Sequence, residues 1–95
     1  MSQTQSITAN GNYELTDRGY TLESALVVNA PAVIDGTIAI GYLDSLGTFV
    51  PYTDGGLIAS ESKVYNSGVG VNLVANISGY GTTPFILKAH NFRSR

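Results

Sequence analysis

Residues able to do covalent or acid–base chemistry are few in this chain and stand apart from one another. His90 is the single histidine, so a Ser-His-Asp or Cys-His triad would have to be built on it, and a multi-histidine metal site is ruled out. Standing beside the last predicted strand, it reads as a surface or interface residue whose one chemical option is a protonation switch. Ser60-Glu61-Ser62-Lys63 has the Ser-x-x-Lys spacing of serine acyl-enzymes. That chemistry needs a helix N-terminus in a larger fold and two partner motifs that are not present. Gly79-Tyr80-Gly81 opens like a nucleotide-binding fingerprint, yet Pro84 stands where the third glycine belongs and a strand pattern follows instead of a helix. The glycines are better explained as a tight link between strands.

The seven carboxylates are dispersed. Asp17, Asp35, Asp44 and Asp54 adjoin or lie within turn signals, where an Asp side chain bonds nearby backbone N–H groups. A calcium site built from two turns would draw on these same residues, and no spacing nominates a general acid–base pair. No catalytic set, metal or cofactor is expected. Asn76-Ile77-Ser78 is a formal glycosylation sequon, expected to be unused because it falls within a strand pattern and no secretory signal is evident. The six tyrosines are the most suggestive remaining group, since tyrosine joins a large contact area to a polar tip and is enriched at interfaces. Most are accounted for as half-buried strand and turn residues. Tyr80, flanked by glycines, is the best candidate for contact with a partner or glycan.

The elements that must position these residues follow from periodicity. Over 69–77, Val69, Val71, Leu73, Ala75 and Ile77 share one face and Gly70, Asn72 and Asn76 the other; over 83–89, Thr83, Phe85, Leu87 and Ala89 share a face. Period two predicts strands, and the Gly-rich link between them predicts a β-hairpin with two apolar rows on one side of a sheet. Ile38, Ile40 and Tyr42 alternate in the same way, the 44–47 loop has Asp first and Gly last, and 48–53 returns as the partner strand. Pro51 cannot donate to a ladder, which places it at an edge or a bulge. Residues 21–29 are also compatible with a short helix, but Val27-Val28 followed by Asn29-Ala30-Pro31 favour a strand. Six to eight short strands separated by turn signals predict an all-β fold, a small antiparallel β-sandwich or jelly-roll-like domain. The predicted organisation is a flexible N-terminal arm over 1–12, one domain over 13–92 and a tail over 93–95.

Composition narrows the class of function. Charged residues make up 13% of the chain, about half the usual share, so much of the surface must be small and polar or be covered by neighbours. A chain of 95 residues without cysteine has a thin core and no disulfides, which favours oligomerisation. The five basic residues are scattered, giving no stripe for nucleic acid. Residues 1–10 carry no export signal, and the apolar runs are too short to cross a bilayer.

Two phrases, Thr-Ile-Ala-Ile-Gly-Tyr-Leu-Asp-Ser-Leu-Gly-Thr-Phe-Val-Pro-Tyr over 37–52 and Gly-Val-Asn-Leu-Val-Ala-Asn-Ile-Ser-Gly over 70–79, resemble the small structural proteins of tailed bacteriophages. Among these are the head decoration or cement proteins, compact β domains that trimerise on the outside of a capsid lattice. The likeness spans 21–91 and is one of pattern, so it carries over no functional residue. It implies a non-enzymatic protein, made in the bacterial cytoplasm and carried on the capsid surface of the virion. There it would form a homotrimer and bind the major capsid protein. The alternative is a receptor- or carbohydrate-binding module of a phage tail or fibre, with Tyr80, Tyr52 and turn aspartates in a shallow site. Tyr80, Asn72, Asn76, Tyr52 and Phe92 are the interface candidates, with part of the face that carries Gly70, Asn72, Asn76, Ile86 and Lys88 expected to meet a neighbouring subunit.

Overall fold

A computed structural model of the chain describes residues 2–15, 24–67 and 73–91. They form eight strands: β1 (Ser2–Ile7), β2 (Gly11–Glu14), β3 (Ser24–Asn29), β4 (Thr37–Leu43), β5 (Phe49–Leu57), β6 (Ser62–Ser67), β7 (Val74–Ser78) and β8 (Phe85–Asn91). Two four-stranded sheets result, ordered β1-β8-β3-β6 and β2-β7-β4-β5. All pairings are antiparallel, and β1 pairs with β8, β2 with β7, β3 with β6 and β4 with β5. The chain is therefore one long ribbon doubled back at the β4–β5 turn. Rolling the ribbon brings β3 beside β8 and β4 beside β7. This is the topology of an eight-stranded jelly roll, the all-β sandwich that the strand and turn spacing predicts.

Each strand sends alternate residues into the layer between the sheets. Ile7, Leu26, Val28 and Leu87 from one sheet meet Ile38, Ile40, Ala75 and Ile77 from the other, all buried. Outward residues of the first sheet fall in rows: Thr4, Lys88, Asn29 and Ser62 in one, His90, Val27 and Val64 in the next. The β4–β5 turn matches its sequence signature. The Asp44 carboxylate accepts N–H bonds from Leu46 and Thr48, both at 2.9 Å, and Gly47 takes φ +84°. Pro51 lies on β5, a sheet edge, where the register with β4 shifts between Ala39 and Gly41.

Two expectations differ from what forms. Strands β7 and β8 do not make a hairpin; they belong to opposite sheets. Their apolar rows face each other across the core instead of lying side by side. Period two fixes which side of a strand is buried but not which strand lies next to it, and the link over 79–84 is long enough to cross the roughly 10 Å between sheets. Asn76 and the Ile86–Lys88 pair consequently lie on opposite outer surfaces of the sandwich. The other difference is at 1–12, expected to be a flexible arm. Ser2–Ile7 pairs with β8 over six consecutive residue pairs, and β2 begins at Gly11. Its polar composition reflects an edge strand with one face outward, and Ile7 is fully buried.

Candidate functional site

Connections β1–β2, β3–β4, β5–β6 and β7–β8 gather at one end of the sandwich and are bonded to one another. Asp35, in the β3–β4 loop, accepts N–H bonds from Gly81 (3.1 Å), Thr82 (2.7 Å) and Thr83 (2.8 Å) of the β7–β8 loop. The bonds from Thr83 and Thr82, with a smaller share from Gly81, hold its carboxyl below the usual carboxylate value. Asn10 Oδ1 accepts the Tyr80 N–H at 2.8 Å. Pro31 O accepts the Ser60 N–H at 2.8 Å, and Ala30 N–H donates to Glu61 O at 2.9 Å. Among the glycines of these loops Gly36 makes the closest approach: at φ +95° it leaves no room for a Cβ, which would stand 2.5 Å from Ser78 O.

Beside this end, on the outer surface of the β1-β8-β3-β6 sheet, lies an apolar groove of about 510 Å³. Ser6 and Thr8 form one wall, Pro31 and Val33 the other, and Pro84, Phe85 and Ile86 the floor. It continues into a smaller hollow of about 240 Å³ where Asn29 and Lys88 flank Pro31 and Ile86. Val33 is 63% exposed and Ile86 45% exposed. Apolar side chains grouped in a concavity and rimmed by polar ones mark a contact surface more often than scattered ones do. Neither wall carries an ionisable group, so the groove is suited to an apolar segment.

A second, more polar hollow of about 340 Å³ lies where β5 meets β6, lined by Tyr52, Thr53, Asp54, Val64 and Tyr65. Rings of Tyr42 and Tyr52 stand 5.8 Å apart and those of Tyr52 and Tyr65 6.0 Å, so Tyr52 is held between two neighbours. Tyr65 Oη donates to Asp54 O at 3.0 Å. Burial, with Asp54 and Glu61 nearby, pushes its phenol up to about 12, and burial beside Tyr42 raises that of Tyr52. Lys63 Nζ donates to Gly56 O at 2.8 Å and lies 3.8 Å from Glu61. The lysine of the Ser-x-x-Lys pattern thus serves to close an edge, while Ser60 sits in the β5–β6 turn at φ +63°.

The structure separates the residues that the sequence nominates. Tyr80 is no free tip: it is half-buried, packs against the core, and has its phenol raised by burial with Asp35 and Tyr13 beside it. Tyr52 belongs to the other tyrosine group, so the two do not form one shallow site. Asn76 is half-buried on the outer surface of the β2-β7-β4-β5 sheet and donates to Asn12 Oδ1 at 2.7 Å. Asn72 and Phe92 lie outside the described residues. His90 is exposed, its Nδ1 3.5 Å from Asn29 Nδ2. Among the described residues no group of three or more His, Cys, Asp or Glu side chains comes together. Sequence reasoning missed Pro31 and Val33 because a loop has no period from which to read a face; Ile86, an apolar residue on the polar side of β8, was the one signal. No protein-family model, no curated protein and no solved structure matches the chain.

Proposed function

We propose that this chain is a non-enzymatic assembly protein that docks on the surface of a larger particle, in the manner of the capsid decoration proteins its sequence resembles. The observation that carries this reading is the groove around Val33 and Ile86. In a chain with 13% charged residues, it is an apolar concavity whose walls carry no ionisable group. Burying the exposed parts of these two side chains is worth about 1 kcal/mol each. Where copies are linked to one another, such modest terms combine into firm attachment on a lattice. Jelly rolls recur in viral capsid proteins and in lectins, which is compatible with the proposal but is an analogy at the level of fold.

The test is addition of purified protein to particles from a host strain lacking its gene, followed by sedimentation and electron microscopy. Wild-type protein is expected to co-sediment at saturable stoichiometry with the major capsid protein and to raise the temperature at which the shell opens. Val33→Asp and Ile86→Asp are expected to remain folded and to stay in the supernatant. Wild-type protein that does not co-sediment, or Asp variants that bind as well as wild type, would overturn the proposal.

A further inference from the structure

We infer that the groove over β8 takes an extended segment of a partner protein patterned apolar-x-apolar-x-Asp/Glu, with the carboxylate set against Lys88. The inference rests on the docking reading above and names what the groove recognises. β8 lies between β1 and β3 in its sheet, and the walls rise where those two neighbours end: Ser6 and Thr8 on the β1 side, Pro31 and Val33 on the β3 side. The groove therefore runs lengthwise along β8. From Pro84 past Ile86 to Lys88, which borders the continuing hollow, its floor is about 13 Å long, four residue steps of extended chain. The four connections at this end of the sandwich, 8–10, 30–36, 58–61 and 79–84, are all described. The undescribed segments join the chain at residues 2, 15, 24, 67, 73 and 91, all at the opposite end.

Two features choose the occupant, and the first is charge. Pro84, Ile86 and Lys88 are exposed alternate residues along the floor, about 7 Å apart, so two apolar side chains are followed by one cation. Across the sheet Lys88 stands between Thr4 and Asn29. Among the described residues no carboxylate lies within 4.0 Å of it; the ion pair that forms joins Lys63 to Glu61. An extended segment repeats at the same spacing, so one laid along β8 sets alternate side chains over these three positions. Two apolar groups and a carboxylate match them, whereas a basic side chain over Lys88 would be repelled. The second feature is the wall formed by Ser6 and Thr8, both exposed. A hydrocarbon tail would cover their hydroxyls and bond neither, which is unfavourable. Each residue of a peptide brings an N–H and a C=O that those hydroxyls can meet. The chemistry of the groove thus selects a polypeptide segment over a lipid chain.

The experiment is carbodiimide crosslinking, which joins an amine to a carboxylate it touches, on particles saturated with wild-type protein, read by mass spectrometry. Lys88 is expected to be joined to an Asp or Glu of a particle protein that has apolar residues two and four positions away on one side. Co-sedimentation of Lys88→Gln and Lys88→Glu runs beside it. Lys88 is exposed, so both variants should keep the wild-type melting temperature. Their dissociation constants should rise about threefold for Gln and about tenfold or more for Glu. The gap between wild type and Lys88→Gln should close between about 50 and about 500 mM salt, because screening removes what the charge contributes. Lys88 variants that bind as wild type does, while Ile86→Asp stays in the supernatant, would overturn this inference and leave the docking reading standing. Wild-type protein that fails to co-sediment would remove both. A crosslink from Lys88 to a second copy of this chain, or none at Lys88 on saturated particles, would overturn the inference on wild-type protein alone, whether or not the variants fold.

Discussion

Gly36 and Gly47 allow the close approach of the β3–β4 and β7–β8 loops to be weighed by itself. Both glycines have positive φ, +95° and +84°, so replacement by Ala imposes a similar backbone penalty of about 1–2 kcal/mol on each. They differ in what the new methyl group meets. At Gly47 nothing lies within 4 Å, whereas at Gly36 the Cβ would stand 2.5 Å from Ser78 O, 3.0 Å from Tyr80 N and 3.1 Å from Gly79 C. These are backbone atoms of the end of β7 and of the loop after it, which Asp35 also holds, so they cannot give way as the end of a flexible side chain would. Forced overpacking of this kind costs about 1–3 kcal/mol. Gly47→Ala is thus expected to destabilise by about 1–2 kcal/mol and Gly36→Ala by about 2–5 kcal/mol. In a domain of this size each kcal/mol lowers Tm by about 4–8 °C. Urea denaturation followed by far-UV circular dichroism, with thermal melts beside it, measures both. Equal losses in the two variants would refute the claim that these loops are packed backbone against backbone.

Two further outcomes concern titration. Asp35 is held below its usual value by the bonds from Thr83, Thr82 and Gly81; its contribution to stability is present above the carboxyl's unfolded value and is lost as pH falls through the folded one. Urea midpoints measured between about pH 6 and pH 2.5 should therefore fall less steeply in Asp35→Asn than in wild type, and an unchanged acid slope would count against the clamp. Tyr65 has its phenol raised to about 12, so the unfolded chain loses that proton first and stability declines from about pH 10 upward. Ultraviolet titration should resolve a phenol ionising at about 12 that vanishes in Tyr65→Phe, beside the smaller upward shifts of Tyr52 and Tyr80. The same variant, having lost the bond to Asp54 O, should be about 1 kcal/mol less stable at neutral pH.

How much was legible follows from what each residue's neighbours are. Ile38 and Ile40 face inward and the Asp44 turn closes the β4–β5 hairpin, because both features depend on residues close in sequence. Pro51 could be assigned to an edge or bulge for the same reason: the missing N–H is a local fact. The partnership of β7 was not legible. Ile77 lies opposite Gly11 on one side and Ile38 on the other, pairings to residues 66 and 39 positions away that no local pattern encodes. Tyr80 was misplaced by its glycine neighbours. They read as an exposed tip, whereas Asn10 and Asp35, both distant in sequence, draw the loop down over the core.

The same long-range bonds fix the shape of the groove through which docking is proposed. One wall, Pro31 and Val33, and Pro84 of the floor are loop residues, and loops ordinarily lose conformational freedom when a partner docks. Here that freedom is already gone. Pro31 and Pro84 have fixed φ, the Pro31 carbonyl is bonded to Ser60 N–H, and Thr83, next to Pro84, donates to Asp35. The exposed parts of Val33 and Ile86 are consequently presented on a framework that does not have to be ordered on contact. It follows that Asp35→Asn should weaken particle binding by raising the ordering cost of the β7–β8 loop, although Asp35 lines no part of the groove. Ile86→Asp should weaken it by removing the contact itself and leave the acid slope of stability unchanged. Binding in Asp35→Asn equal to wild type, with its acid slope flattened, would separate the clamp from the groove and confine Asp35 to a role in stability.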